Sequence, residues 1–224
     1  MNKPLPFKMR TVTPMEQYRA ETFWDKEPEC LAWIRSFAPT DEFVDIGANV
    51  GVYSLFANSL YPDMWVYAFE PMKENMEALQ YNRLLNRFMH IACFWWAIGS
   101  FDGFVEFGSD KTEAGASGGQ VGKRGRYTII STLDTISKAL VMDNLHVKID
   151  IDGQELEVVK GMQQTLPYIK SALIEVSKTS KGPIMDIMTG AGFTTDNRFN
   201  TMSPHSRERR EREGIDAENI VFTR

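Results

Sequence analysis

Phe43-Val44-Asp45-Ile46-Gly47-Ala48-Asn49-Val50-Gly51 is the stretch whose reading decides the fold. A short apolar run takes in an acid, turns on two glycines four residues apart, and enters the amphipathic segment Val52–Leu60. That order predicts a strand, a tight loop and a helix N-terminus, the unit with which doubly wound α/β folds hold nucleotide-type ligands. A dinucleotide loop reads G-x-G-x-x-G, so that backbone amides can crowd a pyrophosphate. Here Asn49 stands in place of the middle glycine, and Asp45 sits just before the turn. A carboxylate there repels a pyrophosphate but favours the cationic sulfonium and amino group of S-adenosylmethionine.

Outward from this loop, strands and helices alternate. Strands are expected over 43–46, 65–69, 90–98, 147–151, 172–176 and 220–222, with helices over 52–60, 72–86, 154–166 and 184–191. Short apolar runs of this kind are strands covered on both faces, so the alternation predicts a parallel, doubly wound sheet. Residues 14–38 read as helical, with Trp24, Leu31, Trp33, Ile34 and Phe37 as an apolar stripe that Pro39 closes. Residues 1–39 are therefore expected to pack on, or cap, a ligand-binding domain over 40–224. Between the third and fourth strands, 104–107 and 126–130 predict a hairpin around the glycine-rich segment 115–119. Such a segment is a flexible loop or, at strand ends, a place where substrate is held. Residues 200–218 are polar, and no internal repeat is present.

Composition narrows the function classes. A chain of 224 residues with 43% hydrophobic and 25% charged residues is that of an ordinary globular domain. No apolar run reaches the roughly 20 residues of a membrane span, and the start lacks a signal-peptide core. Cys30 and Cys93 sit in apolar settings without metal-finger spacing, so reduced thiols and a cytoplasmic protein are expected. The net charge of -5 argues against nucleic acid as a partner. The basic clusters Lys123-Arg124-Gly125-Arg126 and Arg207-Glu208-Arg209-Arg210-Glu211-Arg212 read as solvated segments. Oligomeric state is not legible.

Several residues could carry chemistry. Glu70, about 23 residues after Gly47 and followed by Pro71, stands where an acid accepts from ribose hydroxyls. The bland alternative is a carboxylate at a helix N-terminus. Trp95-Trp96-Ala97 ends the third strand beside the crevice expected to take adenine, and main chain at Trp96 or Ala97 would face the base. In Val147-Lys148-Ile149-Asp150-Ile151-Asp152-Gly153-Gln154-Glu155, strand alternation puts Lys148, Asp150 and Asp152 on one face. Charges there are costly without partners or function. A lysine–aspartate pair plus an N-cap at Asp152 would satisfy two of them, leaving Asp150 to accept a proton from an attacking hydroxyl. If a divalent cation lowers that hydroxyl's pKa instead, Asp150, Asp152 and Glu175 are its candidate ligands. His90, His146 and His205 have no spacing that suggests a metal or nucleophile pair.

Taken in order, these segments resemble the FkbM family of S-adenosylmethionine-dependent methyltransferases. The likeness rests on the 44–51 loop, Ala68-Phe69-Glu70-Pro71, Ala97-Ile98-Gly99-Ser100 with Asp102-Gly103, Leu133-Asp134, and above all Lys148-Ile149-Asp150-Ile151-Asp152-Gly153-Gln154-Glu155 continuing to Gly161. The family reads K-I-D-V-E-G-x-E there; this chain has Ile151 for Val and Asp152 for Glu. The resemblance implies a Rossmann-like methyltransferase fold, with a mostly parallel seven-stranded sheet whose last strand is antiparallel. It implies S-adenosylmethionine as cofactor and methyl transfer to a hydroxyl of a sugar, polyketide or other small molecule. Asp45, Gly47, Ala48, Asn49 and Gly51 would cradle the methionine part, Glu70 the ribose, and Asp150 would sit nearest the sulfonium.

Rival readings are an RNA ribose 2′-O-methyltransferase and a non-catalytic module that keeps the fold. Base-amino methylation is disfavoured because the fourth strand ends in Asp150-Ile151-Asp152-Gly153 and not [DN]-P-P-[YFW]. No cysteine follows a proline, as cytosine C5 chemistry requires, and no G-x-S-x-G or P-loop element is present.

Overall fold

The computed structural model describes residues 3–199 and 216–224, with Glu208, Glu211, Arg212 and Gly214 between them. Its main sheet is built from β1 (Glu42–Ile46), β2 (Val66–Phe69), β3 (Ile91–Phe94), β8 (Leu145–Ile149), β9 (Ile169–Ser177), β10 (Thr194–Thr195) and β11 (Ala217–Thr223). The strand order is β10-β11-β9-β8-β1-β2-β3. β3, β2, β1, β8 and β9 run parallel, and β11 pairs antiparallel with β9 and β10. This is the expected mostly parallel, doubly wound seven-stranded sheet with an antiparallel last strand, and its chain reversal between β1 and β8 places a crevice at their carboxyl ends.

The helices are α1 (Pro14–Glu21), α2 (Pro28–Ile34), α3 (Val52–Leu60), α4 (Lys73–Asn86), α5 (Leu133–Leu140), α6 (Glu155–Lys160) and α7 (Lys181–Gly190). They cover both faces. One core joins α2, α3 and α4 to the sheet through Trp33, Phe43, Phe56 and Leu79. The other gathers Leu133, Val158, Ile184 and Phe222 on the opposite face. α3 buries seven of its nine residues because it lies between the sheet and the N-terminal helices. Among the described residues no helix is long and apolar enough to cross a membrane.

Four expectations need correction. Residues 14–38 form two helices, since Pro28 fits only the first turn of a helix and forces a new start. The strand over 90–98 divides at Trp95: β3 stays on the main sheet, while β4 (Trp96–Ile98) joins a second one. That second sheet, in the order β4-β7-β5-β6, contains the expected hairpin as β5 (Gly103–Gly108) and β7 (Arg126–Ser131), with β6 (Gln120–Val121) at its edge. The fourth parallel strand ends at Ile149, not Ile151, because Asp152 and Gly153 take left-handed φ values of 59° and 109°. The helix begun at Glu155 stops at Lys160, where Gly161 packs so closely on the Gly99 carbonyl that a side chain could not fit.

Candidate functional site

The carboxyl ends of β1, β2 and β8 open into a cavity of about 260 Å³. Gly47 turns the chain at its floor with φ 81°, and a Cβ there would overlap the Asp150 carbonyl oxygen. Glycine is thus required twice, by the backbone conformation and by the contact between the β1 and β8 turns. The Gly47 and Ala48 amides both donate to the Phe69 carbonyl (3.0 Å each). Asn49 takes φ 53°, a conformation asparagine tolerates, and its Oδ1 accepts from the Val50 amide at 2.9 Å. Gly51 then caps α3 with φ 89°.

Glu70 closes the side of the cavity beyond β2. Its Oε2 accepts from the Asn49 amide (2.9 Å) and its Oε1 from the Met72 amide (2.7 Å). The acid therefore holds the loop and the start of α4 together, while still lining the cavity beside Pro71. Burial pushes its carboxyl up to about 7, against those two amides. Between pH 4.5 and 7 the folded protein thus keeps a proton that the unfolded chain has lost, and stability falls as pH rises. Glutamine does not titrate, so Glu70→Gln should gain on the wild type across that window by roughly 3 kcal/mol, at about 1.4 kcal/mol per pH unit. Urea unfolding of both proteins from pH 4.5 to 7 reads the difference; a constant gap would mean that Glu70 titrates normally.

A narrow apolar slot continues from the cavity between Phe69, Pro71, Trp96, Ala97, Ile98 and Ile151. A flat aromatic base fits such walls. Only Trp96 of the tryptophan pair reaches the slot; Trp95 is half exposed, and its indole donates to the Pro71 carbonyl at 2.7 Å.

At the far side lies a charged cluster. Lys148 is buried, and its Nζ donates to Asp150 Oδ2 at 2.9 Å, 5.0 Å from the Tyr53 ring centroid. Burial alone would lower its pKa, yet Asp150, Asp45 and Glu27 hold it above the ordinary lysine range. The converse holds for Asp150, whose burial is outweighed by Lys148, leaving its carboxyl below the usual range. Glu27 is likewise kept ionised against burial by Lys26, Lys148 and the Tyr53 hydroxyl, which donates to it at 2.7 Å. Asp45 lies beneath the turn and does not line the cavity. Its Oδ2 accepts from Ser54 at 2.6 Å, its Oδ1 has no hydrogen bond among the described residues, and burial raises its pKa. What it offers a bound cation is negative potential from below, not a direct contact.

Asp152 does not cap α6. Its Oδ2 accepts from the Gly118 amide at 2.7 Å, and Glu155 instead gathers the Ile151 and Gly153 amides. Glu175 lines the cavity with Asp150 and Asp152. Among the described residues, however, no three acidic, histidine or cysteine side chains come together as a metal site. His146 lies at the other end of β8, stacked on Phe37, with Nε2 donating to Asp41 and Nδ1 accepting from Ser171. Burial lowers its pKa to about 4, so it is neutral there and serves packing. Lys123 is ion-paired with Asp110, whereas His205 and the arginines 207, 209 and 210 lie outside the described residues.

The roof of the cavity is not legible in the sequence. Segment 114–118 is not loose: Ala116 O accepts from Asn49 Nδ2 (2.7 Å) and Asn75 Nδ2 (3.1 Å), and the Gly115 amide donates to Asn75 Oδ1 (2.8 Å). From α1, Thr13 reaches Ala114 O and Arg19 reaches Gly115 O, at 2.6 Å each. Glycine clusters signal turns, and nothing local shows that distant asparagines will pin one down. Tyr18 and Arg19 of α1, and Lys26 and Glu27 just ahead of α2, consequently line the cavity.

Comparison with known proteins agrees with this geometry. A family model described as a methyltransferase FkbM domain matches residues 45–195. The 31-O-demethyl-FK506 methyltransferase FkbM of Streptomyces tacrolimicus is 24% identical over 191 residues, covering 70% of this chain and 74% of that protein. Hexuronic acid methyltransferase AglP of Haloferax volcanii is 26% identical over 140 residues, covering 61% of this chain and 56% of its own length. Among solved structures, a methyltransferase FkbM from Methylobacillus flagellatus KT has a TM-score of 0.57 at 15% identity, over 94% of this chain and 52% of that one. Magnesium protoporphyrin IX methyltransferase from Synechocystis PCC 6803, with S-adenosylmethionine bound, has a TM-score of 0.53 at 10% identity, over 98% and 88%. At these identities the structural likenesses are likenesses of fold.

Proposed function

The chain belongs to the FkbM family of S-adenosylmethionine-dependent methyltransferases, and from that premise we propose that it methylates a hydroxyl oxygen of a sugar or other small-molecule acceptor. The observation that carries this reading is the Lys148–Asp150 pair at the cavity wall, with Asp150 lining the cavity and its Oδ2 held by Lys148 at 2.9 Å. Two relatives are named for acceptors that support an oxygen nucleophile: one for a 31-O position, the other for a hexuronic acid.

When bound, S-adenosylmethionine supplies an electrophilic methyl on a cationic sulfur. The chain's own residues do the rest by positioning. Gly47, Ala48, Asn49 and Gly51 shape the turn under the methionine part, Glu70 receives the ribose hydroxyls beside Pro71, and Trp96 and Ala97 border the base. Asp150 would take the acceptor's proton as the hydroxyl oxygen bonds to the methyl carbon and the carbon–sulfur bond breaks, with S-adenosylhomocysteine as the leaving group. Residues 40–224 are the cofactor-binding unit in this reading, and the preceding helices are its cap. The unpaired thiols of Cys30 and Cys93 support a cytoplasmic setting.

Titration calorimetry with S-adenosylhomocysteine tests the cofactor site. Saturable binding at one site per chain is expected, and folded protein that takes up none would end the reading. Methyl transfer from labelled S-adenosylmethionine to a panel of hydroxylated sugars and macrolides would then identify the acceptor.

A further inference from the structure

The cavity holds three cations, Arg19, Lys26 and Lys148, and two of them are committed. Lys26 is ion-paired with Glu27 at 3.1 Å, and Lys148 with Asp150 at 2.9 Å. Arg19 differs. Its Nε donates to the Gly115 carbonyl, and its two terminal nitrogens hold no hydrogen bond or ion pair among the described residues. The guanidinium nevertheless sits close enough to Glu70 and Asp152 to lower both carboxyl pKa values against their burial. Its position is fixed through the roof: Gly115 adjoins Ala116, whose carbonyl accepts from the Asn49 side chain. Arg19 therefore lines the same cavity as Asn49, Glu70 and Asp152, on its roof side.

We infer that Arg19 binds the α-carboxylate of the cofactor's methionine part. This rests on the S-adenosylmethionine reading above. That ligand is a zwitterion at its amino-acid end, so its ammonium and sulfonium suit the acid side formed by Asp45 and Asp150, and its carboxylate needs a cation elsewhere. A guanidinium offers two parallel N–H donors in the fork that matches a carboxylate. Because the same side chain holds Gly115 through Nε, the roof and the ligand share one anchor, and α1 becomes part of the cofactor site although it lies outside residues 45–195.

The test compares S-adenosylhomocysteine with its decarboxylated analogue by calorimetry, on wild type, Arg19→Met and Arg19→Lys. Arg19→Met should weaken S-adenosylhomocysteine by about 10- to 100-fold and the decarboxylated analogue by less than about threefold, with Arg19→Lys recovering part of the loss. A role confined to holding the roof would weaken both ligands equally, which would overturn the inference. So would unchanged binding of both ligands with a raised KM for the acceptor, since the cation would then serve the acceptor. Wild-type protein that is folded but binds neither ligand would instead overturn the cofactor reading, and this inference with it.

Discussion

Asp150→Asn should lower kcat by roughly 10²- to 10³-fold while leaving S-adenosylhomocysteine affinity within about threefold. Asparagine keeps the size of the side chain and an oxygen that can accept from Lys148, so the β8 turn and its packing against Gly47 are preserved. What disappears is the proton acceptor. Asp150 is ionised at neutral pH because Lys148 outweighs the effect of burial, so the wild-type group is ready to receive a proton. The low pKa also makes it a weak base, so it helps only once the hydroxyl oxygen has begun to bond to carbon and to release its proton. The signature is therefore a fall in kcat with little change in KM for the cofactor, read by steady-state kinetics alongside calorimetry. Full turnover by the variant would remove Asp150 from proton transfer and leave positioning alone as the source of rate.

The contrast between what the sequence revealed and what it concealed follows the range of the interactions involved. The 43–51 turn was legible because its constraints are local: a strand of apolar residues, glycines at positive φ, and an asparagine able to adopt φ 53°. Glu70 was legible by spacing, since a strand–helix–strand unit has a nearly fixed length. The division of the strand at Trp95 was not, because β4 leaves the main sheet only to meet β7, which lies some thirty residues further on. Asp152 was misread as a helix cap for the same reason; its partner, the Gly118 amide, belongs to a remote loop. Arg19 was hidden altogether: an arginine in the last turn of a short helix looks like any solvated charge until Gly115 is folded against it.

Lys148→Met should destabilise the protein by about 4 kcal/mol at neutral pH, the largest loss expected of a single side chain in the site. The lysine is 1% exposed, and its amine is the charge shared by Asp150, Asp45 and Glu27. Replacing a whole buried ion pair with apolar groups can be harmless, whereas removing one partner leaves the other charged and poorly solvated. Here three carboxylates would be left. Each would answer by taking up a proton more readily, so the folded-state pKa of Asp150, now below normal, should rise above it, and that of Glu27, which keeps Lys26 and Tyr53, should rise by less. The sign of the pH dependence follows. Wild type already has the full contribution of these two acids at pH 5, above their unfolded pKa values, whereas the variant must ionise Asp150 without its partner and loses stability as pH rises, so the gap between the proteins should widen from pH 5 to pH 8. Urea unfolding at the two pH values measures this, and Lys148→Met combined with Asp150→Asn should recover part of the loss. A penalty below about 1 kcal/mol that is the same at both pH values would show that the acids do not depend on the lysine. The ion pair proposed to orient Asp150 for catalysis would then have no energetic basis.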